Sequence, residues 1–362
     1  MRLRRIFLKN FRNLPKVELF PSEGYNLLLG VNGAGKTNLC EAIYYAARGE
    51  LLKGERQREL IRWGERWTLI EFTVNQDLLR IMLDGDERTK QVEVNGKPER
   101  PGRLTQYLRA VAFTADDLGV IKGRPSGRRR FLDCAVAELD PEYKFYRRRY
   151  EQVLRGKNLL LRQGRPNREL LGIYQQELIK LGAFLVMRRL DYLRRMNEEL
   201  RALHERLDVG RGPLRLEYLS AIPGLPETGE GLAGWLAAGM EAKAEEERRR
   251  GFSLVGPHRD DLRFRAGEID LGQFGSQGEQ RLAMIQLKLA QIELHRRRFA
   301  EYPVLILDDL LSELDPGRGQ LLLEVLPLGI QAFLTATELR PPLQRLVGQV
   351  YLIEGGWVEE GL

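Results

Sequence analysis

The sequence predicts an α/β protein in which a mixed sheet carrying a glycine-rich loop, with an antiparallel subsheet beside it, is assembled from both ends of the chain around an inserted helical arm. Three observations predict it. An apolar run, Tyr25–Leu29, passes through Gly30–Gly35 into a helical pattern over Thr37–Ala47, with Leu39, Ile43, Ala46 and Ala47 at helical spacing. Near the other end, Val304–Leu307 is a second apolar run, closed by Asp308-Asp309. Between them, from Asp116 to about Arg250, segments rich in Leu, Arg and Glu carry long amphipathic helical patterns. The expected organisation is therefore 1–115 and 251–362 as the two pieces of one head, with 116–250 as the inserted helical, basic arm.

The remaining elements follow in chain order. Trp67–Val74, Leu78–Leu83 and Gln91–Val94 alternate apolar and polar residues between turn formers, and Asn95-Gly96 closes the last, which reads as the antiparallel subsheet. Val111–Thr114 is one further strand. Breaks at 123–127, 164–166 and 210–213 divide the arm into helices, and 221–231 is a loop. After Phe252 the α/β character returns: a helix over Gly278–Arg298, strands at Val304–Leu307, Gln331–Thr335 and Val350–Ile353, then a terminal hairpin turned by Gly355-Gly356.

At 362 residues and 43% hydrophobic content the chain can bury a full core. No stretch approaches the roughly 18 uncharged apolar residues of a membrane helix, and Lys9 and Arg12 interrupt the N-terminus before a signal core develops. A cytoplasmic protein with no membrane role is expected. Cys40 and Cys134 lack any spacing suited to a disulfide framework or zinc. The net charge is +7. Residues 121–206 hold 21 Lys/Arg against 11 Asp/Glu, a balance of +10, so the rest of the chain sums to −3. The arm is thus suited to an acidic partner.

Gly30-Val31-Asn32-Gly33-Ala34-Gly35-Lys36-Thr37 matches GxxxxGK[ST] between a predicted strand and a predicted helix. Glycines let a phosphate approach the backbone, and the loop N–H groups with the helix N-terminus supply donors. ATP is the expected ligand, with Lys36 reaching its β- and γ-phosphates and Thr37 ligating Mg²⁺. A carboxylate at a neighbouring strand end must complete the metal site, and Asp308 supplies it. Asp309 follows where a residue could polarise the attacking water as a catalytic base, or else cap the strand.

Phe274–Arg281 contains Ser276-Gln277-Gly278-Glu279-Gln280 at the start of a helix. This resembles the signature loop of the ABC ATPases, in which the equivalents of Ser276 and Gly278 complete the nucleotide site of an opposing subunit. A serine N-cap would explain Ser276 alone, though not the set of motifs in this order. Leu311–Asp315 similarly resembles the D-loop that crosses the dimer interface. Phe7–Asn13, the segment Asp116–Asp133 and Leu307–Asp315 narrow the resemblance to the RecF family, over nearly the whole chain. Two positions depart from its pattern: Ala115 stands in place of the usual proline, and Arg124 in place of a small residue.

The resemblance implies an ATP-dependent homodimer that binds duplex DNA near single-strand gaps and works with RecR and RecO to load RecA. Arg128, Arg129 and Arg130, with Arg147 and Arg148, are the candidate DNA contacts. Successive residues on a helix diverge by about 100°, so part of each cluster faces away, and a solvated or internally paired role is the alternative. The strand-end histidine of transporter ATPases is missing from Phe333–Glu338, where Thr335 or Thr337 is the hydroxyl available instead. A transporter ATPase subunit is the competing function. The basic helical insert between Lys36 and Ser276 argues against it, and no second acidic cluster suggests a nuclease.

Overall fold

A computed structural model describes the chain except residues 50, 53–55, 87–88, 115–116, 118, 164–166, 208–211, 227–228, 311–315, 340–347 and 362, and the side chains of 316, 318 and 321. Contacts divide it into two compact units, Met1–Leu118 with Gln291–Leu362, and Gly119–Ala290.

The first unit holds two six-stranded sheets. One is antiparallel, in the order β2 (Leu14–Leu19), β1 (Leu3–Phe11), β4 (Trp67–Val74), β5 (Asp77–Asp84), β6 (Thr89–Val94), β7 (Lys97–Pro98). A register shift between Leu3 and Arg5 lets β1 bury both Leu3 and Ile6, with Leu8 and Phe11 buried further along the strand. The other is β15 (Trp357–Glu360), β14 (Gln349–Glu354), β3 (Tyr25–Leu29), β13 (Ala332–Ala336), β12 (Val304–Asp308), β8 (Ala110–Thr114), parallel except for the β14–β15 hairpin. Its central strands are buried on both faces, so they read as continuous apolar runs. Helix α1 (Lys36–Arg48) joins the sheets: Leu39, Ile43 and Tyr45 share one apolar cluster with Ile6, Phe72, Ile306 and Phe333. Strands from near both ends of the chain thus alternate in one sheet, which places the glycine loop and the acidic strand end two strands apart.

The second unit is mainly helical. Leaving aside single turns, it contains α2 (Pro125–Leu139), α3 (Pro141–Leu161), α4 (Arg168–Leu207), α5 (Leu232–Ala242), α6 (Ala244–Arg250) and the start of α7 (Gln277–Phe299). Proline at the first position of α2 and α3 costs no hydrogen bond, and Asp140 caps α3 by accepting from the Glu142 N–H at 3.0 Å. Helix α4 contains a window of mean hydropathy 1.2 and is long enough to cross a membrane by length and composition. It spends Leu178, Leu181, Leu185 and Val186 on the interior of the unit.

The composition-based reading of 116–250 as purely helical missed a three-stranded sheet, β9 (Leu214–Leu219), β10 (Asp261–Ala266) and β11 (Ile269–Asp270). Leu214 and Leu216 of β9, with Leu262 and Phe264 of β10, turn alternate side chains inward. Because β10 pairs with β9, residues 251–290 join the second unit, and its boundary lies at 290/291, within α7, where the sequence suggested 250/251.

Candidate functional site

The loop Gly30–Gly35 leaves the end of β3 and enters α1. Gly33 at φ 83° and Gly35 at φ 124° occupy backbone conformations that a side chain would strain. Gly30 is required for a different reason: a Cβ there would lie 2.2 Å from the Ile353 carbonyl oxygen of β14. Val31, Asn32 and Gly33 are exposed, whereas Ala34, Gly35 and Lys36 are buried. Lys36 Nζ donates to the carbonyls of Gly30, 2.7 Å, and Val31, 3.1 Å, folding its ammonium back over the loop. No acidic residue lies in the first turn of α1 and no side chain caps it, so the positive end of the helix dipole is left for an anion.

Across the sheet, β12 carries Asp308 to the same place. Thr37 Oγ1 donates to Asp308 Oδ1 at 2.8 Å, joining two groups 271 residues apart. Thr335, at the end of β13, accepts from the Asp309 backbone N–H at 2.7 Å, and its hydroxyl lies 3.2 Å from Asp308 Oδ1 and 3.4 Å from Asp309 Oδ1. Asp309 sits at φ 53°, a left-handed conformation held by that bond. Of the two threonines weighed for the missing histidine, Thr335 is buried against the acidic pair and Thr337 is exposed. A hydroxyl and a carboxylate in contact beside an anion-ready helix end are oxygen donors suited to Mg²⁺, and the loop is suited to a polyphosphate.

Sequence reasoning missed the residue that braces the loop. Asn13, in the β1–β2 turn, donates to the carbonyls of Gly33, 3.2 Å, and Ala34, 3.0 Å, and accepts from Asn38 Nδ2 at 2.7 Å. The Gly356 N–H donates to the Ala34 carbonyl at 3.1 Å, and a Cβ on Gly356 would stand 2.2 Å from the Asn13 carbonyl oxygen. Asn13 was legible as part of the Phe7–Asn13 segment, but its contact was not.

In the second unit Ser276 is exposed and forms a capping box: Ser276 Oγ lies 2.8 Å from Glu279 Oε2, and the Glu279 N–H donates to Ser276 Oγ at 3.3 Å. The loop before it is tight, since a Cβ on Gly275 would meet the Leu271 carbonyl oxygen at 2.6 Å. Gly278 is half-buried. The Leu311–Asp315 segment lies outside the described residues.

The arginine clusters divide. Arg128 makes a two-pronged bond to Asp261 at 2.8 and 2.7 Å. Arg129 donates to the Asp260 carbonyl at 2.9 Å, and burial pushes its guanidinium below its ordinary range. Arg147 lies 3.5 Å from Glu151 and 3.9 Å from Asp133. Arg130 and Arg148 are exposed. The second unit also buries a polar network that the sequence did not reveal. Arg189 bonds Asp133 at 2.7 Å and the Pro257 carbonyl at 2.7 Å, while Tyr218 donates to Asp260 at 2.6 Å. Tyr150 and His258 pair at 2.7 Å, and burial pushes the His258 imidazole down to about 3.

Residues 2–338 match the family described as the RecF/RecN/SMC N-terminal domain. The DNA replication and repair protein RecF of Desulforamulus reducens is 36% identical, over 93% of this chain and 92% of that protein. That of Symbiobacterium thermophilum is also 36% identical, over 95% and 94%. Among solved structures, the recombination mediator protein RecF-ATPrS in the RecFOR pathway superposes with a TM-score of 0.90 at 28% identity, covering 100% of this chain and 98% of that one. An Smc head bound to the C-terminal winged-helix domain of ScpA shares the fold, with a TM-score of 0.57 at 14% identity.

Proposed function

The chain belongs to the RecF branch of the RecF/RecN/SMC N-terminal domain family, and from this we infer an ATP-hydrolysing protein of recombinational DNA repair and replication. Its finer action is an ATP-gated dimer that grips duplex DNA near single-strand gaps and helps RecO and RecR load RecA. The observation that carries the nucleotide reading is the 2.8 Å contact of Thr37 with Asp308 beside the uncapped start of α1.

In this reading the backbone N–H groups of Gly30–Thr37 cradle the phosphates, and Lys36 turns from the Gly30 and Val31 carbonyls toward the β- and γ-phosphates. Thr37 and Asp308 would hold Mg²⁺, which when bound neutralises charge on the transferring phosphoryl oxygens. Asp309, fixed by Thr335, orients the attacking water and accepts its proton. Ser276 and Gly278 meet the nucleotide held by a second copy of the chain, so each site is composite. The exposed Arg130 and Arg148 contact DNA phosphates, and Arg128, Arg129 and Arg147 fix the helices that present them.

Relatives that cover more than nine-tenths of the chain are repair proteins, and no observation favours a transporter subunit. Sedimentation of the full chain with and without ATP and duplex DNA tests the reading. A dimer that forms only with ATP and then carries DNA is the expected result; a monomer under every condition would contradict it.

A further inference from the structure

The first unit carries a second polar concavity, on the corner where the chain enters β4. Residues 62–65 form a tight turn closed by the Glu65 N–H on the Arg62 carbonyl at 3.0 Å, with Gly64 at φ 85° in the third position. The turn is pinned on both sides. The Arg62 N–H donates to the Asn10 carbonyl at 2.9 Å, and Asn10 Nδ2 donates to Glu65 at 3.1 Å. Trp63, second in the turn, is therefore held in place and yet 97% exposed. A tryptophan held in this way presents a broad aromatic face to whatever enters the adjoining cavity.

A cavity of about 360 Å³ opens beside the ring, lined by Arg58, Ile61, Arg62 and Trp63, with the carboxylates of Glu65, which Asn10 holds, and Asp86, which Arg66 holds. A neighbouring one of about 430 Å³ shares Arg58 and Ile61 and adds Arg56. Arg66 is engaged with Asp86 at 3.0 Å and Asp84 at 3.6 Å. Among the described residues neither Arg58 nor Arg62 has a carboxylate within ion-pair distance. Nη1 of Arg62 is shut off from solvent with no acceptor. That nitrogen is a donor the protein itself does not satisfy, and the rest of the guanidinium faces the cavity with donors suited to water or an anion.

We propose that this cleft binds single-stranded nucleic acid, with one base stacked on Trp63 and a flanking phosphate held by Arg58 and Arg62. Stacking plus basic donors is the chemistry of strand binding without sequence preference. An acidic peptide would use the arginines, but a protein hot spot surrounds its tryptophan with apolar packing, and here, among the described residues, Ile61 is the only other apolar side chain lining the cavity beside the ring. The proposal rests on the reading of the chain as a DNA-binding repair protein.

Fluorescence anisotropy with a labelled dT20 and with a blunt 20-base-pair duplex, both with ATP, tests it on the full chain. Trp63→Ala should weaken dT20 binding by about tenfold, the order expected for one lost stack, and leave the duplex affinity unchanged. Trp63→Phe, which keeps a ring, should recover most of the loss. A dT20 carrying 5-iodouracil should cross-link at Trp63 in the wild-type chain. Unchanged dT20 binding, equal loss on both DNAs, or cross-links confined to other residues would overturn the proposal while leaving duplex binding in place. Loss of poly-glutamate binding in Trp63→Ala with dT20 unaffected would assign the cleft to an acidic protein and equally overturn it. Failure of the wild-type chain to bind either DNA would bring down the repair reading itself, and the cleft with it.

Discussion

Two strand ends in this molecule carry the same dipeptide and use it in opposite ways. Asp308-Asp309, at the end of β12, meets small hydroxyls: Thr37 at 2.8 Å and Thr335 at 3.2 and 3.4 Å. Asp260-Asp261, at the start of β10, is filled by the protein itself. Arg128 clamps Asp261, while Tyr218 and the Ala221 N–H, 3.0 Å away, serve Asp260. The described neighbours of the first pair include small hydroxyls beside an exposed loop, an arrangement that suits a metal and a polyphosphate. In the second pair Asp261 is clamped by a guanidinium and Asp260 accepts from two hydroxyls and a backbone N–H, because a buried carboxylate without hydrogen-bond partners would be costly. Acidic dipeptides are therefore told apart by what the fold brings to them.

The widest test of that contrast is Arg189→Ala. It removes the buried guanidinium that Asp133, the Pro257 carbonyl and Tyr218 share, leaving Asp133 with Arg147 at 3.9 Å, and should destabilise the second unit by about 3 kcal/mol, read by urea unfolding. A loss well below that would mean the network tolerates an unpaired charge. Asp309→Asn probes the other pair. ATP binding should persist while hydrolysis falls by roughly a hundredfold or more, as expected for a lost general base. Wild-type turnover would remove Asp309 from that role.

The arginine run sharpens the comparison within three residues. Arg128→Ala should cost about 1–3 kcal/mol of stability by leaving Asp261 without its partner. Arg130→Ala with Arg148→Ala should leave the melting temperature in place and weaken DNA binding, with a shallower salt dependence. The reverse outcome would exchange the structural and binding assignments.

The smallest effect concerns pH. His258 is held neutral to about 3, below its ordinary 6.5, so the unfolded chain takes up the proton first and its stabilising contribution is lost as pH falls below 6.5. Burial raises the Asp260 carboxyl, which acts in the opposite sense at acidic pH. The melting temperature of the wild-type chain should therefore fall more steeply from pH 6.5 to 4.5 than that of His258→Gln. Parallel profiles would show that the imidazole is not the titrating group.

The sequence made the local parts of the site legible. Gly30–Thr37 is contiguous, with its strand before and its helix after, and Val304–Asp309 announces itself by four apolar residues and two acids. What stayed hidden depends on distant partners. Asn13 supports the loop from another strand pair, and Gly356, more than 300 residues further along the chain, reaches the Ala34 carbonyl. Arg128 and Arg130 look alike in sequence because the residue that separates them, Asp261, lies 133 positions away from Arg128. The β9–β10 pairing did leave a signal, the alternation of Leu214 with Leu216 and of Leu262 with Phe264. Surrounding Leu, Arg and Glu masked it under a helical composition.

The central claim is that each nucleotide site is shared between two copies of the chain, and mixing two defective proteins tests it directly. Lys36→Ala removes the ammonium of the phosphate loop, and Ser276→Arg places bulk and charge on the facing loop, so each alone should lack ATP hydrolysis. A heterodimer of the two contains one site with both defects and one with neither. Partial hydrolysis should therefore return on mixing, with Ser276→Arg alone still binding ATP but no longer dimerising. Should Ser276→Arg dimerise normally with ATP, and mixing restore no hydrolysis while both proteins stay folded, the loop would act within its own chain and the shared site would be contradicted.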